Sequence, residues 1–468
     1  MTRQTATDPA LWELTADQLH ARYRRKTATP VDVVGAVLQR IEDVNPLVNA
    51  FAVIDREGAR AAAEASAKRW ATGEPLGRLD GVPLSIKDNI TVRGLPCRWG
   101  TEVFRDFVPD RDETPVARLR AAGAIILGKT TTSEFSNGRG IVSTPMFGTT
   151  RNPWRPTLTT GSSSAGAAAA AATGMGAIAI GTDGGGSIRL PASHCGLLGF
   201  KPTAGRVARA HGLPMILAGR EVVGPLLRST ADLSAVLRVM AGPCPQDAAS
   251  WGLPDLPGDE PDPNPRSQRI LHVKRLGDYP VAPEVTAACD RVAGNLEALG
   301  HQVIEGEAPF DIERQARNGV VIRAGMAWLL RDKDWVGRTH DYYAGLVEEG
   351  SRLSAADYID ALDALRQVQA QMGRFFETYD LMLSPVACQL PGPADVPAPA
   401  HYGAFTGVAN TAGVPAVAIP AELSPDGLPI GFQLIGRFGA DWPLLAMARQ
   451  YELHHPWADR RPPLWHGR

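Results

Sequence analysis

A run of three glycines followed directly by a serine is the feature of this sequence that most suggests chemistry. It lies in "IGTDGGGSIRLPA" (residues 180–192), where Ser187 follows the glycines and begins a predicted helical turn. A nucleophile that attacks a carbonyl needs free N–H groups beside the developing oxyanion, and residues without side chains let those amides approach closely. Ser187 is therefore a candidate nucleophile, and the candidate oxyanion donors are the amides of Gly184, Gly185 and Gly186.

The same glycine run has simpler interpretations. Three glycines could form a flexible linker, a phosphate-binding loop or merely a turn. Upstream, "TTGSSSAG" (residues 159–166) contains Ser162, Ser163 and Ser164 before a stretch of alanines, and these serines could merely cap the helix that the alanines predict. Only the nucleophile hypothesis explains both the number of glycines and the serine that follows them.

Other catalytic and ligand-binding patterns are weaker. "GAIILGKT" (residues 123–130) satisfies the P-loop expression, but its central residues are strand-like, whereas a P-loop needs a polar glycine-rich loop after a strand. The glycines lack the spacing of a dinucleotide fingerprint, and the histidines and cysteines form no metal-binding pattern. The hydrolase elbow GxSxG is absent because Ala165 replaces its second glycine. A Ser-His-Asp triad through His194 stays open.

Alternating helix and strand patterns must position these groups. Thr29 and Pro30 begin an amphipathic helix, and the predicted strands after it are "NAFAVID", "GVPLSIKD", "AIILGKT", "AIAIG", "RILHVKR" and "HQVIE". This alternation implies an α/β fold, with a large mixed or mainly parallel β-sheet core covered by helices on both faces. We expect one domain over residues 1–468, with a small-residue catalytic core at about 80–230 and an exposed Pro/Asp-rich connection at about 243–265.

Composition restricts the partners and the compartment. Lys plus Arg total 48 against 50 Asp plus Glu, so no overall charge attracts nucleic acid or an anionic membrane. No apolar run is long enough to span a membrane, and the N-terminus lacks the apolar core of a signal peptide. Five scattered cysteines without a CxxC pair fit a reducing compartment. We expect a cytoplasmic monomer or homodimer that binds neither nucleic acid nor membranes.

Several ordered motifs resemble those of the amidase signature family of serine hydrolases. "GVPLSIKD" is similar to the family's lysine strand, and "GTDGGGSIRLPASHCGLLGFKPTAGRV" is similar to its core signature. "GKTTTSEF", "FGTTRNPW", "NTAGVPAVAIP" and "GLPIGFQLIG" extend the resemblance over nearly the whole chain. "GSSSAG" stands where the family usually has GGSSGG; it departs at Ser162 and Ala165 without losing a reactive group.

The resemblance implies a Ser-cisSer-Lys triad. It places the nucleophile on Ser187, the bridging serine on Ser163, 24 positions earlier, and the base on Lys87, which must be buried to be neutral. It also implies a cis peptide bond before Ser163, an acyl-enzyme, and no cofactor or metal. Thr182 is expected to help hold the bridging serine, and the other supporting residues are Asp183 and Arg189, which tie down the turn, with Ser162 and Ser164.

The resemblance leaves the substrate open. Family members hydrolyse aliphatic or aryl amides, lipid amides, anilides, carbamates or ureas, or serve as the A subunit of a glutamine-dependent tRNA amidotransferase. Segments 136–148 and 208–221 are less family-like and could line an apolar pocket or merely pack as loops; the candidate pocket residues in or beside them are Phe135, Gly138, Met146, Arg209, Met215 and Ile216.

We therefore expect a hydrolase of small aryl or alkyl amides, anilides or carbamates. The first alternative is the A subunit of the amidotransferase. Alternatives of other classes are a non-catalytic binding homologue and a nucleotide-dependent enzyme that uses Gly123–Thr130.

Overall fold

Helices and short strands alternate along the chain, as the sequence pattern predicts. The computed structural model describes residues 9–138 and 140–466. Its strands are β1 Phe51–Ile54, β2 Pro83–Lys87, β3 Ile125–Thr130, β4 Ser143–Thr144, β5 Gly148–Thr149, β6 Ile178–Asp183, β7 Leu198–Lys201, β8 Val222–Leu227, β9 Arg269–His272, β10 Gln302–Glu305, β11 Leu381–Pro385, β12 Ala416–Leu423 and β13 Pro429–Gly436. Its α-helices are α1 Ala16–Arg24, α2 Pro30–Val48, α3 Arg56–Thr72, α4 Thr114–Ala121, α5 Ala165–Ala172, α6 Arg189–Cys195, α7 Thr230–Met240, α8 Pro283–Ala298, α9 Ile312–Ala316, α10 Asn318–Leu330, α11 Asp341–Ser351, α12 Ala355–Phe375, α13 Ala404–Thr411 and α14 Asp441–His454.

Eleven of these strands form one sheet, in the order β1-β3-β2-β6-β8-β7-β12-β13-β11-β9-β10. The neighbours β3-β2-β6 and β11-β9-β10 run parallel, and the other neighbouring pairs run antiparallel. The expectation of a mixed sheet is confirmed, but the sheet is not mainly parallel. Only two antiparallel pairs of this sheet, β7-β8 and β12-β13, join consecutive strands with no α-helix between them, and β12 and β13 are joined by a short turn.

Both faces of this sheet are covered, as expected. In β6, Ile178 and Ile180 pack into an apolar cluster with residues of α4, α7 and α14, whereas Ala179 packs on the opposite side with residues of α5 and α6. Successive side chains of a strand point to opposite faces, so this division shows a helical layer on each side.

Helix α5 explains the run of alanines. All of its residues are buried, and it packs against β2, β3, β6 and β8. A Cβ added to Gly166 would overlap the backbone oxygen of Ala50 and the side chain of Thr131. Only very small residues allow this approach, and it brings the serines at the start of α5 against the central strands.

Two further sequence interpretations can be compared with the fold. Residues 243–265 are largely exposed, and β9, which follows them, joins the same sheet. The P-loop look-alike is strand β3, and its Lys129 is buried with the amine donating to the carbonyl oxygens of Asp88 and Pro96. Within the described part of the chain, no helix combines the length and the apolar character that crossing a membrane requires.

Candidate active site

The carboxyl ends of two parallel neighbours, β2 and β6, bring the predicted groups together. Strand β2 ends at Lys87, and β6 ends at Thr182 and Asp183, directly before the glycine run. Carboxyl ends of parallel strands meet at one edge of a sheet, where open α/β folds commonly bind ligands. The serine cluster reaches the same edge at the start of α5.

Lys87 is fully buried and bonded to hydroxyl groups. Its Nζ lies 2.6 Å from Ser163 Oγ and 2.8 Å from Thr182 Oγ1. Burial lowers the pKa of Lys87 to about 7 from the ordinary 10.5, although the carboxylates of Glu221 and Asp183 act in the opposite direction. The lowered pKa gives this lysine a neutral form near pH 7, which an ordinary lysine lacks.

The serine cluster is built into the site and does not cap the alanine helix. The peptide bond between Ser162 and Ser163 is cis, as the family resemblance implies. Ser164 makes no side-chain cap to α5; its hydroxyl donates to the carbonyl oxygen of Thr182, and its N–H donates to that of Ser187. The capping interpretation is therefore wrong, and the cluster is tied directly to the glycine turn.

Asp183 and Arg189 organise that turn. Both are fully buried, and two Arg189 nitrogens donate to the Asp183 carboxylate at 3.0 Å each. Burial alone would raise the pKa of Asp183, but the Arg189 guanidinium holds it well below its usual range. The same carboxylate accepts the N–H groups of Gly186 and Ile188, which fixes the backbone on both sides of Ser187. This geometry fits the structural role expected for the pair.

The structure differs from the sequence prediction at Gly186. Its N–H is already bonded to Asp183 at 2.7 Å and does not face a reacting carbonyl. Among the described residues, no group accepts the N–H of Gly184, Gly185 or Ser187, so these three amides stay available. The Ser187 hydroxyl likewise has no hydrogen-bond partner among the described residues, and its side chain is half-buried at the wall of a cavity.

That cavity has a volume of about 470 Å³ and is lined by Ser187, Gly184 and Gly185. Three of the predicted pocket residues line it: Phe135, Gly138 and Ile216.

The other three predicted pocket residues, Met146, Arg209 and Met215, do not line the cavity. Met146 lies between the strands of the β4-β5 hairpin, Met215 is 55% exposed, and Arg209 is enclosed by ion pairs with Glu113 and Glu221.

Much of the cavity wall comes from residues that sequence reasoning missed. Trp99 and Tyr342 join Phe135 and Ile216 on a wall from one apolar cluster, and Leu276 and Phe310 belong to a second cluster. Most of these residues lie more than 80 positions from Ser187 along the chain. No local pattern marks them, because folding alone brings them to the site.

His194 does not take part in a Ser-His-Asp triad. Its Nε2 lies 3.2 Å from the hydroxyl of Tyr402, and burial lowers the pKa of His194 to about 3. It has no hydrogen bond to Ser187. The alternative triad is therefore wrong.

Known proteins resemble the chain over nearly its whole length. The Amidase family model matches residues 32–445. An acylamidase from Rhodococcus erythropolis is 34% identical over 477 aligned residues, which cover 97% of this chain and 98% of the relative. The A subunit of the glutamyl-tRNA(Gln) amidotransferase of Thermosynechococcus vestitus is 32% identical, with 96% of this chain and 99% of the relative covered.

A solved structure agrees with these relatives. A bacterial aryl acylamidase of the amidase signature family superposes with a TM-score of 0.90 at 26% identity, covering 98% of this chain and 100% of that one. Sequence, fold and the arrangement of the polar groups therefore lead to one assignment. The chain belongs to the amidase signature family of amide hydrolases.

Proposed function

We propose that this chain hydrolyses amide bonds through an acyl-enzyme formed on Ser187. The observation that carries the proposal is the 2.6 Å contact of the buried Lys87 amine with Ser163 Oγ, beside a turn that presents Ser187 to an apolar cavity. No carboxylate of a described residue forms an ion pair with Lys87, and its partners are hydroxyl groups. A buried amine in such surroundings is suited to accept a proton.

In the proposed mechanism, neutral Lys87 takes a proton from Ser163, which takes one from Ser187 as its Oγ attacks the amide carbon. The unbonded Ser187 hydroxyl is free to turn toward Ser163, and such contacts commonly tighten only when substrate binds. The free amides of Gly184, Gly185 and Ser187 would donate to the oxyanion. The amine leaves with the relayed proton, and water then hydrolyses the ester by the same relay.

The cavity supports substrates with apolar groups on the amide. Its apolar side chains come from three separate clusters, and among the described residues the only carboxylate that lines it, that of Glu221, is paired with Arg209. Free glutamine carries an ammonium and a carboxylate that would need unpaired counter-charges. We therefore propose small aryl or alkyl amides, anilides or carbamates as the substrates, with glutamine hydrolysis as the alternative to be tested.

The test is a hydrolysis panel on the purified single chain, with an acyl anilide, an alkyl amide, an aryl carbamate, an ester and glutamine. We expect the anilide, alkyl amide or carbamate to be cleaved, and Ser187→Ala to abolish cleavage. A fluorophosphonate should label Ser187, as peptide mapping would show. Glutamine as the preferred substrate would support the amidotransferase alternative, and the absence of both labelling and turnover would support a binding homologue.

We also propose that the enzyme acts in the cytoplasm as a monomer or homodimer without nucleic acid or membrane. All five cysteines are free and buried, which fits a reducing compartment. Light scattering of the purified chain, alone and with nucleic acid or anionic vesicles, tests the assembly and both partners.

A further inference from the structure

A chain of hydrogen bonds connects Lys87 to the ion pair of Arg209 and Glu221. The Thr182 hydroxyl that accepts from Lys87 also accepts from Asn89 Nδ2 at 3.1 Å. Asn89 Nδ2 lies 3.3 Å from Glu221 Oε1, and the other oxygen of Glu221 accepts from Arg209 at 2.6 Å. The chain therefore connects the lysine to both members of the pair.

This ion pair is held firmly. Arg209 is 6% exposed and Glu221 is 16% exposed, and a second Arg209 nitrogen donates to the buried Glu113 at 2.7 Å. The backbone N–H of Arg209 also donates to the Asp247 carboxylate at 2.8 Å. Buried ion pairs contribute little net stability, because desolvation offsets their attraction. Stability is therefore a poor explanation for placing this pair beside the lysine.

We propose that Arg209 and Glu221 are positioning residues, which hold Thr182 against Lys87 through Asn89 and balance the charge around the lysine amine. This inference rests on the proposed role of Lys87 as the base. Glu221 fixes the Asn89 amide, and the amide fixes the Thr182 hydroxyl that orients the amine toward Ser163.

The charges around the amine give each member of the pair an opposite effect. The charged groups that face it are Asp88 after β2, Asp183 at the end of β6, Glu221 before β8, and Arg209. Asp183 is neutralised by Arg189, helix α5 carries no charge, and Lys129 on β3 is bound to backbone carbonyls. Glu221 raises the pKa of Lys87 and Arg209 lowers it, so removing either one alone should shift the lysine's titration in the corresponding direction.

The test is the pH profile of kcat/KM with a neutral acyl anilide or the best substrate of the hydrolysis panel. Glu221→Gln removes a carboxylate, so the acid limb should move down by about one pH unit. Arg209→Met removes a cation, so the limb should move up by a similar amount, and the double variant should return toward the wild-type position. Glu113→Gln, which contacts Arg209 but lies outside the charges facing Lys87, should leave the limb in place.

Opposite shifts in the two single variants support the proposal, whereas coincident limbs or shifts in one direction overturn it. General damage to the fold lowers the rate without producing opposite shifts. If Glu221→Gln does not fold, Glu221→Asp keeps a carboxylate for Arg209 but moves it away from Asn89, because its side chain is shorter. The acid limb of this variant should shift down by less than about one pH unit, and an unchanged limb overturns the proposal. Full activity of Lys87→Met would instead refute the proposed base and with it the proposed function.

Discussion

Replacing Lys87 with methionine removes the titratable amine from the site, and so tests how the buried lysine affects the stability of the folded protein at different pH values. The pKa of the lysine is about 7 in the folded protein and 10.5 in its ordinary state. Between these values the unfolded chain holds a proton that the folded protein has lost, so the free energy of unfolding of the wild type should rise with pH. Below about pH 7 the full penalty of burying this lysine opposes folding.

The magnitude follows from the two pKa values. At about 1.4 kcal/mol per pH unit the full penalty is about 5 kcal/mol, and about 2 kcal/mol of it is relieved between pH 7 and pH 9. Methionine has a similar shape and no charge, but leaves Ser163 and Thr182 without their partner, which costs about 1–3 kcal/mol per orphaned group. This second cost is the same at both pH values. The stability of Lys87→Met relative to wild type should therefore fall by about 2 kcal/mol from pH 7 to pH 9.

Urea denaturation at the two pH values measures this difference, with coincident fluorescence and circular dichroism transitions establishing two-state unfolding. Ser187→Ala is the matched control, because it should lose activity while keeping Lys87 and the wild-type dependence on pH. A stability difference between Lys87→Met and wild type that is the same at both pH values would refute the reasoning. Lys87 would then be charged in the folded protein at pH 7 and could not act as the base.

Three further predictions concern activity and the cavity. The kcat/KM of the wild type for a non-ionising amide should rise with pH through about 7, because Lys87 must be neutral, and a flat profile from pH 5 to 9 would contradict this. Gly186→Ala should lower kcat/KM by about 100-fold, because Gly186 has φ +124° and an added Cβ would overlap Thr406. Near-normal kinetics of this variant would refute the idea that a rigid turn positions Ser187. Ile216→Ala should raise KM for an apolar amide by about tenfold, because the substrate loses apolar contact with the cavity wall. Met215→Ala, at the exposed neighbouring position, should leave KM unchanged, and equal effects of the two variants would show that Ile216 does not contact the substrate.

Local patterns predicted much of the fold. Thr29 caps α2 and Pro30 begins it, as their positions indicate, because capping and the fixed φ of proline act within a few residues. The strands at Lys87 and at Ile178–Asp183 also lie where their apolar runs predict them. Local patterns do not predict strand direction, because a pair such as β7 and β12 joins segments more than 200 residues apart.

In the candidate site, too, some features follow from local sequence and others depend on residues that are distant along the chain. The candidate reactive groups could be named before folding was considered, because an ordered set of motifs carries Lys87, Ser163 and Ser187 in recognisable local contexts. The surroundings of those groups depend on the folded chain: the N–H of Gly186 donates to Asp183, Arg209 pairs with Glu221, and aromatic and aliphatic side chains from distant segments line the cavity. Hydrogen bonds, burial and the pKa of a lysine depend on atoms within a few ångströms in space, and most of these atoms belong to residues that are remote along the chain.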